Sequence, residues 1–351
     1  MKTLDLALNL YSHYAKVEEI NHYYGLMAHY AYAQIVSEMD DETLKAQCRE
    51  LLLRFPDGVR HPQYNFACYR MGGNAAAWAD MTGLQKRPEG EFAAFADQTM
   101  AGPKDSAGIL CMPGHEKEGQ IWIDTVFAVT PFMLFAGLSL KNPVYVDFAV
   151  DQCLRAIETL LDPACGLIHQ CRGFMADPAA FSQDHWSRGN GWGYAALAEV
   201  MAWLPADHPS RRKAEQLFRA LSAAIIQYQS EKGLWRQEMT EELAWEESSG
   251  TALMLYGLGI GIRKGLLQDE CYLNAFANGL NGLVKYCINP DFSTERSCPG
   301  CLCPGEGGMK GTIQAYITEK LPTHDEHHSF GAFMLALLEA YRNGITDIKF
   351  G

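Results

Sequence analysis

Apolar residues recur at spacings of three and four along most of the chain, which is the pattern of amphipathic helices. Polar stretches that contain glycine and proline separate these segments and mark the loops. The pattern predicts about twelve helices, and no stretch alternates apolar and polar residues for long enough to predict a sheet. The predicted helices cover residues 4–14, 23–39, 41–54, 66–81, 91–100, 122–138, 143–161, 194–204, 209–230, 248–264, 269–286 and 328–342.

The predicted helices come in pairs that repeat about every 50 to 60 residues, as expected for helical-hairpin repeats. The first helix of a pair is rich in glycine, small and aromatic residues, whereas the second carries a single apolar stripe. This difference predicts two concentric layers, with the outer helices facing water. The unpaired first helix would close the ring beside the unpaired last one. We therefore predict an all-α (α/α)6 barrel, a toroid of six helical hairpins, as a single domain of residues 1–351. A superhelical solenoid is the alternative.

Composition narrows the possible partners and compartments. The net charge of −13 argues against nucleic acid or an anionic membrane as a partner, because both bind basic surfaces. The N-terminus has neither the basic region nor the continuous apolar run of a signal peptide, and no window approaches the roughly 20 apolar residues of a membrane span. The 11 cysteines are better interpreted as free thiols than as disulfides. We expect a cytoplasmic protein, with its oligomeric state open.

The long loops precede the predicted inner helices, at residues 101–120, 162–188, 231–248 and 288–327. In a toroid these loops lie on one face, so their side chains gather around one mouth. Aromatic and titratable residues are concentrated in them, which predicts a ligand pocket there. These residues are His115, Trp122, Asp124, His169, Trp186, Arg188, Trp192, Trp235, Trp245, Glu247, His324, His327 and His328.

The segment DHWSRGNGWG, residues 184–193, places two indoles, an imidazole and a guanidinium around three glycines. Glycine in a helix costs about 1 kcal/mol relative to alanine, so three glycines at a helix start indicate that something lies close to the backbone. Flat apolar rings beside a fixed cation suit a sugar acid. The simpler interpretation is a packed helix N-terminus with a surface arginine.

Three titratable residues each have a structural and a functional interpretation. Asp124 follows Trp122 and is either the N-cap of a helix or a carboxyl group whose pKa a dry pocket raises, as a general acid requires. His169 is either a core histidine or a residue that orients the ligand. Glu247 either interacts with the positive end of a helix dipole or contributes to the pocket.

The cysteine and histidine spacings do not match known metal sites. The segment from His324 to His328 lacks the spacing of a helical zinc pair. Cys298 and Cys301 form half of a four-cysteine pattern, with Cys303 close by, but a second half is missing. Free thiols are the favoured interpretation, and no phosphate loop or dinucleotide fingerprint is present. We expect neither a metal nor a cofactor.

Taken together, the blocks of sequence resemble the unsaturated glucuronyl and rhamnogalacturonyl hydrolases, glycoside hydrolase families 88 and 105. The resemblance begins near residue 120 and continues in order to the C-terminus. Its blocks are QIWIDTVF (120–127) followed by PF (131–132), GLIH (166–169), WSRGNGW (186–192), LP (204–205), GLW (233–235), ESSGTA (247–252), GIRKG (261–265) and GAF (331–333).

The resemblance implies an (α/α)6 barrel that removes a 4,5-unsaturated uronic acid from the non-reducing end of oligosaccharides left by a polysaccharide lyase. Asp124 matches the family's catalytic aspartate, which protonates the enol ether at C4 before water adds at C5. His169 would contact the substrate, Trp186 and Trp192 would stack on the sugar, and Arg188 would pair with the uronate carboxylate. The remaining predicted substrate-binding residues are Tyr24, Trp122, Trp235, Glu247 and His328.

One departure from the family's pattern lies in the N-terminal third. The family has a second pocket aspartate, and its equivalent position here falls near Cys68, in the segment 60–78 that contains no carboxylate. This leaves two alternatives open: another sugar-active enzyme on the same fold, such as a saturated-glycoside hydrolase or a sugar epimerase, or a non-catalytic carbohydrate-binding protein.

Overall fold

The computed structural model describes residues 1–17, 23–53, 71–111 and 119–350, with the side chains of residues 71, 72 and 89 excepted. Thirteen α-helices, one 3-10 helix (Gly307–Met309) and four two-residue strands lie within these ranges. The helices are α1 (Thr3–Val17), α2 (Tyr23–Ser37), α3 (Glu42–Leu52), α4 (Met71–Thr82), α5 (Glu89–Met100), α6 (Asp124–Ser139), α7 (Pro143–Leu160), α8 (Ser187–Trp203), α9 (Arg211–Ile226), α10 (Ser248–Arg263), α11 (Glu270–Cys287), α12 (Ile313–Glu319) and α13 (His327–Arg342). The strands are β1 (Ile121–Trp122), β2 (Cys171–Arg172), β3 (Trp235–Arg236) and β4 (Glu246–Glu247).

Six alternate helices form a closed inner ring. α2, α4, α6, α8, α10 and α13 each pack against the next, and α13 returns to α2. The outer helices α3, α7, α9 and α11 pack on the inner helices α2, α6, α8 and α10, respectively. Helix α5 lies beside α6, and α1 packs on α13. The chain ends meet where the ring closes, as Thr3 N donates to Thr346 O at 3.0 Å. The predicted (α/α)6 barrel is confirmed, and the contact of α13 with α2 excludes the solenoid.

Burial separates the two layers as the amphipathic pattern predicts. Every residue of α8 from Ser187 to Met201 is buried, and so is every residue of α10 from Ser248 to Gly261. In the outer helix α9 only one stripe is buried, formed by Ala214, Phe218, Leu221, Ser222, Ala224 and Ile225. A helix that packs between the ring centre and an outer helix has no solvated face, so its sequence is apolar or small all round.

A buried carboxylate joins three inner helices inside the ring. Glu199 of α8 accepts hydrogen bonds from the hydroxyls of Tyr30 in α2 and Tyr256 in α10, both at 2.5 Å. Burial raises the pKa of Glu199, whereas the two hydroxyls favour its ionised form. The hydrogen bonds offset the cost of placing a carboxyl group in the core.

The largest differences from the prediction are the start of α8 and an additional short helix. α8 begins at Ser187, seven residues before the predicted start at 194, so the glycine-rich motif forms the first turns of the helix. Its glycines allow close packing: a Cβ on Gly191 would lie 2.8 Å from Leu253 Cβ, and one on Gly193 would lie 2.8 Å from Ile168 Cδ1. In the segment predicted as a final loop, Thr312 caps the short helix α12. The short strands form two antiparallel pairs, β1 with β2 and β3 with β4.

The crossing of α8 and α10 is sensitive to a single methyl group. A Cβ on Gly250 would lie 2.5 Å from the Ser187 carbonyl carbon and 2.6 Å from the Arg188 backbone nitrogen. Because both neighbours are backbone, we expect Gly250→Ala to lower the free energy of unfolding by about 1–3 kcal/mol, measured by urea denaturation. Gly90→Ala is the control, since nothing lies within 4 Å of its Cβ position. Equal effects of the two substitutions would contradict the prediction.

Candidate active site

The first turns of four inner helices bring candidate residues to one end of the ring. Asp124 begins α6, Arg188 lies in the first turn of α8, Glu247 precedes α10 and His328 lies at the start of α13. Direct contacts join three of these turns, since Arg188 Nη1 lies 3.1 Å from Ser249 Oγ in α10 and 3.8 Å from the Glu326 carboxylate just before α13. The charge of Arg188 also acts on Asp124. These candidate residues therefore lie at the same end of the ring.

Asp124 is held where strand β1 passes into helix α6. Ile123 N donates to Gln170 O at 2.9 Å, which fixes the turn just before the carboxyl group. The residue as a whole is partly exposed, but its Oδ2 is buried and has no hydrogen-bond partner among the described residues. Burial raises the pKa of Asp124 well above its usual range, although the Arg188 guanidinium opposes the shift. The carboxyl group therefore holds its proton to a higher pH than an exposed aspartate does.

Trp192 is the aromatic neighbour of this carboxyl group. Its ring is buried against Phe127 with a centroid distance of 5.2 Å, and its Nε1 has no hydrogen-bond partner in the described part of the chain. The indole interacts with Asp124 and favours its ionised form. The indole is thus close enough to act on Asp124, but its Nε1 and Asp124 Oδ2 do not meet in hydrogen-bond geometry. Buried polar atoms without partners need an explanation, and a bound ligand would be one.

Arg188 is almost completely buried, at 1% exposure. Its Nη2 donates to Pro299 O at 2.8 Å and its Nη1 to Cys298 O, while its Cζ lies 4.6 Å from the Trp186 ring centroid. Its Nε is buried and has no partner within the described ranges. Burial disfavours the charge, but neighbouring acidic groups outweigh burial and keep the pKa of Arg188 above its usual value. The site therefore contains a permanent cation.

Glu326 and His328 form a hydrogen-bonded pair beside Arg188. His328 Nδ1 lies 2.7 Å from Glu326 Oε1, and Tyr23 Oη contacts His328 Nε2. Burial opposes ionisation of Glu326, but His328 and Arg188 outweigh it and lower the pKa of Glu326 to about 2. Burial lowers the pKa of His328, and Arg188 adds to this effect. The Tyr24 ring lies 5.1 Å from that of His328, so the structure brings these two predicted residues together.

The whole-chain comparison identifies the family. The chain matches the model of Glycosyl Hydrolase Family 88 over residues 22–344. It belongs to Glycosyl Hydrolase Family 88. This membership confirms the resemblance described above and supports the predicted class of enzyme, a hydrolase of glycosidic bonds.

Two curated relatives and one solved structure illustrate the similarity of this family 88 chain. An unsaturated 3S-rhamnoglycuronyl hydrolase from Formosa agariphila is 34% identical over 228 residues, covering 61% of this chain and 56% of the relative. One from Alteromonas sp. is 24% identical over 189 residues, covering 53% and 46%. The chain thus spans about half the length of these relatives. A family 105 glycoside hydrolase from C. acetobutylicum superposes with a TM-score of 0.80 at 17% identity, covering 97% of this chain and 99% of that one, and shows the shared fold.

Two of the predicted substrate-binding residues of this family 88 chain are engaged inside the protein. The Glu247 carboxylate caps α10, accepting from Ser249 N at 2.9 Å and Gly250 N at 2.6 Å, and it also accepts from Ser187 Oγ and Cys298 N. Trp235 is fully buried, and its Nε1 donates to Ile225 O at 2.8 Å. These contacts favour a structural role for both residues, because neither side chain is open to a ligand.

The other predicted residues lie around the mouth with different degrees of access. The Trp186 ring is covered by Arg188 and packs with Cys298, Cys301 and Tyr316, so it supports the arginine and does not present an open face to a sugar. Trp122 is half-buried at the end of β1. His169 is half-buried, its Nδ1 lies 3.1 Å from Asp184 O, and its ring lies 5.7 Å from that of Phe181.

Residue-by-residue interpretation did not identify Asp184, Glu326 or Tyr23 as functional candidates. Asp184 is fully buried, its Oδ2 accepts from Trp186 N at 3.0 Å, and its charge raises the pKa of Asp124. The signal for Glu326 was its position before an inner helix, like that of Glu247. Asp184 opens the glycine-rich segment and Tyr23 precedes the predicted Tyr24, but their contacts with the site depend on long-range packing.

The cysteines in the described ranges are free, including the buried Cys298, Cys301 and Cys303. Cys68 and His115 lie outside the described residues, so the position of the family's second aspartate is not described. Among the helices that the structure describes, none is long and apolar enough to cross a membrane.

Proposed function

We propose that this chain removes a 4,5-unsaturated uronic acid from the non-reducing end of lyase-generated oligosaccharides, with Asp124 as the general acid and base. The observation that carries the proposal is the Asp124 carboxyl group. Its Oδ2 is buried and unpaired among the described residues, and burial raises its pKa. A carboxyl group with a raised pKa holds its proton to a higher pH and can deliver it to carbon, which an ordinary exposed aspartate does poorly.

The proposed reaction is a hydration. Protonated Asp124 gives its proton to C4 of the enol ether, and positive charge develops at C5 and the ring oxygen. A water molecule then adds at C5, and the Asp124 carboxylate takes a proton from it, which restores the acid. The product is a hemiketal, which opens and releases the neighbouring sugar. One carboxyl group suffices for this sequence, unlike ordinary glycoside hydrolysis with its two flanking carboxylates.

Two features of the mouth support binding of a sugar acid. Arg188 keeps its charge, and the Glu326 oxygen nearest to it is 3.8 Å away, longer than a hydrogen bond. Its field attracts the uronate carboxylate, and its buried Nε is a donor without a partner in the described ranges. Trp192 supplies an indole beside the reacting carboxyl group. We propose that Tyr24 and the His328 ring complete the sugar contacts.

The names of the two curated relatives direct the choice of substrate. Both are unsaturated 3S-rhamnoglycuronyl hydrolases, so an unsaturated uronyl group linked to rhamnose is the first candidate. The test incubates the protein with lyase products of ulvan, pectin and glycosaminoglycans and follows the conjugated enol-acid absorbance. We expect the absorbance to fall on at least one substrate, with release of the neighbouring sugar. Absorbance that is stable on all three, together with hydrolysis of saturated glycosides, would favour the alternative enzyme.

A further inference from the structure

We propose that Asp162, His169 and His185 bind one divalent transition-metal ion with the ligand preferences of zinc. Asp162 lies just after α7, and the two histidines lie on the segment that leads from there to α8. Asp184 connects this group to the candidate active site, because its backbone oxygen contacts His169 while its carboxylate acts on Asp124. The proposal goes beyond the sugar chemistry and does not depend on it.

The three side chains converge on one point. One ligand atom from each of Asp162, His169 and His185 lies within 4.8 Å of the other two. Asp162 Oδ2 and His185 Nε2 are 3.0 Å apart. Bonds of about 2.0–2.1 Å in a tetrahedral zinc site place ligand atoms roughly 3.4 Å apart. Side-chain rotations that move the ligand atoms by about 1 Å therefore bring them to this spacing. Two imidazoles and one carboxylate are a zinc-type ligand set that leaves a fourth position open.

Neighbouring acceptors orient both imidazoles for metal binding. His169 Nδ1 lies 3.1 Å from the backbone oxygen of Asp184. A carbonyl oxygen only accepts hydrogen bonds, so this contact places the proton on Nδ1 and leaves the Nε2 lone pair free. His185 Nδ1 faces Glu238 Oε1 at 3.7 Å and Thr240 Oγ1 at 3.4 Å, while its Nε2 faces Asp162. Such outer partners are the usual support of metal-binding histidines.

An ion can reach this group from solvent, because the Asp162 side chain is 22% exposed and His169 is half-buried. A second His–Asp pair in the chain provides the matched control. His208 Nε2 lies 2.9 Å from Asp147 Oδ1, the same pairing at the surface, but this pair is not part of a three-ligand group in the described chain. If metal binding requires three convergent ligands, substitutions in the Asp162, His169 and His185 group will weaken it, and substitution of His208 will not.

The experiment titrates chelator-treated protein with Zn²⁺ by calorimetry, without any sugar. We expect one ion per chain. Asp162→Asn, His169→Gln and His185→Gln should each weaken binding by about 100-fold or more, since loss of an outer partner alone costs about 10- to 100-fold. His208→Gln should bind as the wild type does. Zn²⁺ should also raise the melting temperature of the wild type, because it binds the folded state.

The 11 cysteines are competing zinc ligands, so a second probe identifies the donor atoms. Co²⁺ bound to thiolate shows an intense near-ultraviolet charge-transfer band, whereas nitrogen and oxygen ligands give only weak visible bands. We expect the visible bands alone, and their retention in Cys298→Ser/Cys301→Ser. The proposal is overturned by the absence of saturable binding, or by binding that disappears in the cysteine variant and persists in Asp162→Asn and His169→Gln. Circular dichroism checks that each variant is folded; if His185→Gln is not, the other two decide.

Discussion

Replacing Asp124 with asparagine should lower the turnover of unsaturated uronyl oligosaccharides by about 10²- to 10⁴-fold. Asparagine has nearly the same shape, but it has no acidic proton to deliver and no carboxylate to receive one from water. The initial rate of absorbance loss on the best lyase product measures the effect. Asp147→Asn is the matched control, because its side chain is 67% exposed and lies on outer helix α7. Undiminished turnover in Asp124→Asn would refute the assignment.

The same substitution should stabilise the fold at neutral and alkaline pH. The pKa of Asp124 is raised in the folded state, with burial as the main cause. A group with a raised folded-state pKa contributes its stability below its unfolded pKa and loses it as the pH rises through the folded value. Asparagine cannot ionise, so the advantage of the variant should grow with pH. Melting temperatures from pH 4 to 9 test this, and wild-type activity should fall over the same upper range as the acid loses its proton.

Replacing Glu326 with glutamine should lower the free energy of unfolding by about 3–5 kcal/mol at neutral pH. Its carboxylate is 7% exposed, contacts His328 at 2.7 Å and lies 3.8 Å from Arg188. Removing the negative charge leaves the buried guanidinium less well compensated. The amide also has only one oxygen, whereas in the carboxylate Oε2 accepts from Ser297 Oγ and His328 N and Oε1 contacts His328 Nδ1. Urea denaturation of the wild type and the variant gives the difference.

A surface ion pair supplies the comparison for this second substitution. Glu158 pairs with Lys213 at 2.8 Å, with side-chain exposures of 40% and 56%, so Glu158→Gln should change stability by less than about 1 kcal/mol. The pKa of Glu326 is lowered to about 2, so its contribution is present above the unfolded value of about 4.3 and is lost as the pH falls through about 2. A pH-independent difference, or equal losses for the two glutamates, would argue against this electrostatic role.

The sequence determined the helical architecture because helix periodicity is a local property. Outer helices such as α9 carry one apolar stripe, whereas α8 and α10 are small or apolar on every side. That contrast requires two layers, and the unpaired helices at the two chain ends complete the ring. The sequence also placed Asp124, Arg188 and Trp192 near one mouth, since the loops before inner helices share one face of a toroid.

The tertiary structure decided which of these side chains are open to a ligand. Glu247 and Trp235 occur in the same loops as the predicted site residues, but internal hydrogen bonds engage them. The glycine-rich motif forms the first turns of α8, where Leu253 and Ile168 pack against its glycines. Glu326 joined the site through Arg188, a residue far away in the chain. The periodicity of a sequence shows which face of a helix is buried. The burial of one carboxyl oxygen and the convergence of three ligands depend on contacts between distant segments. A single sequence does not contain those contacts.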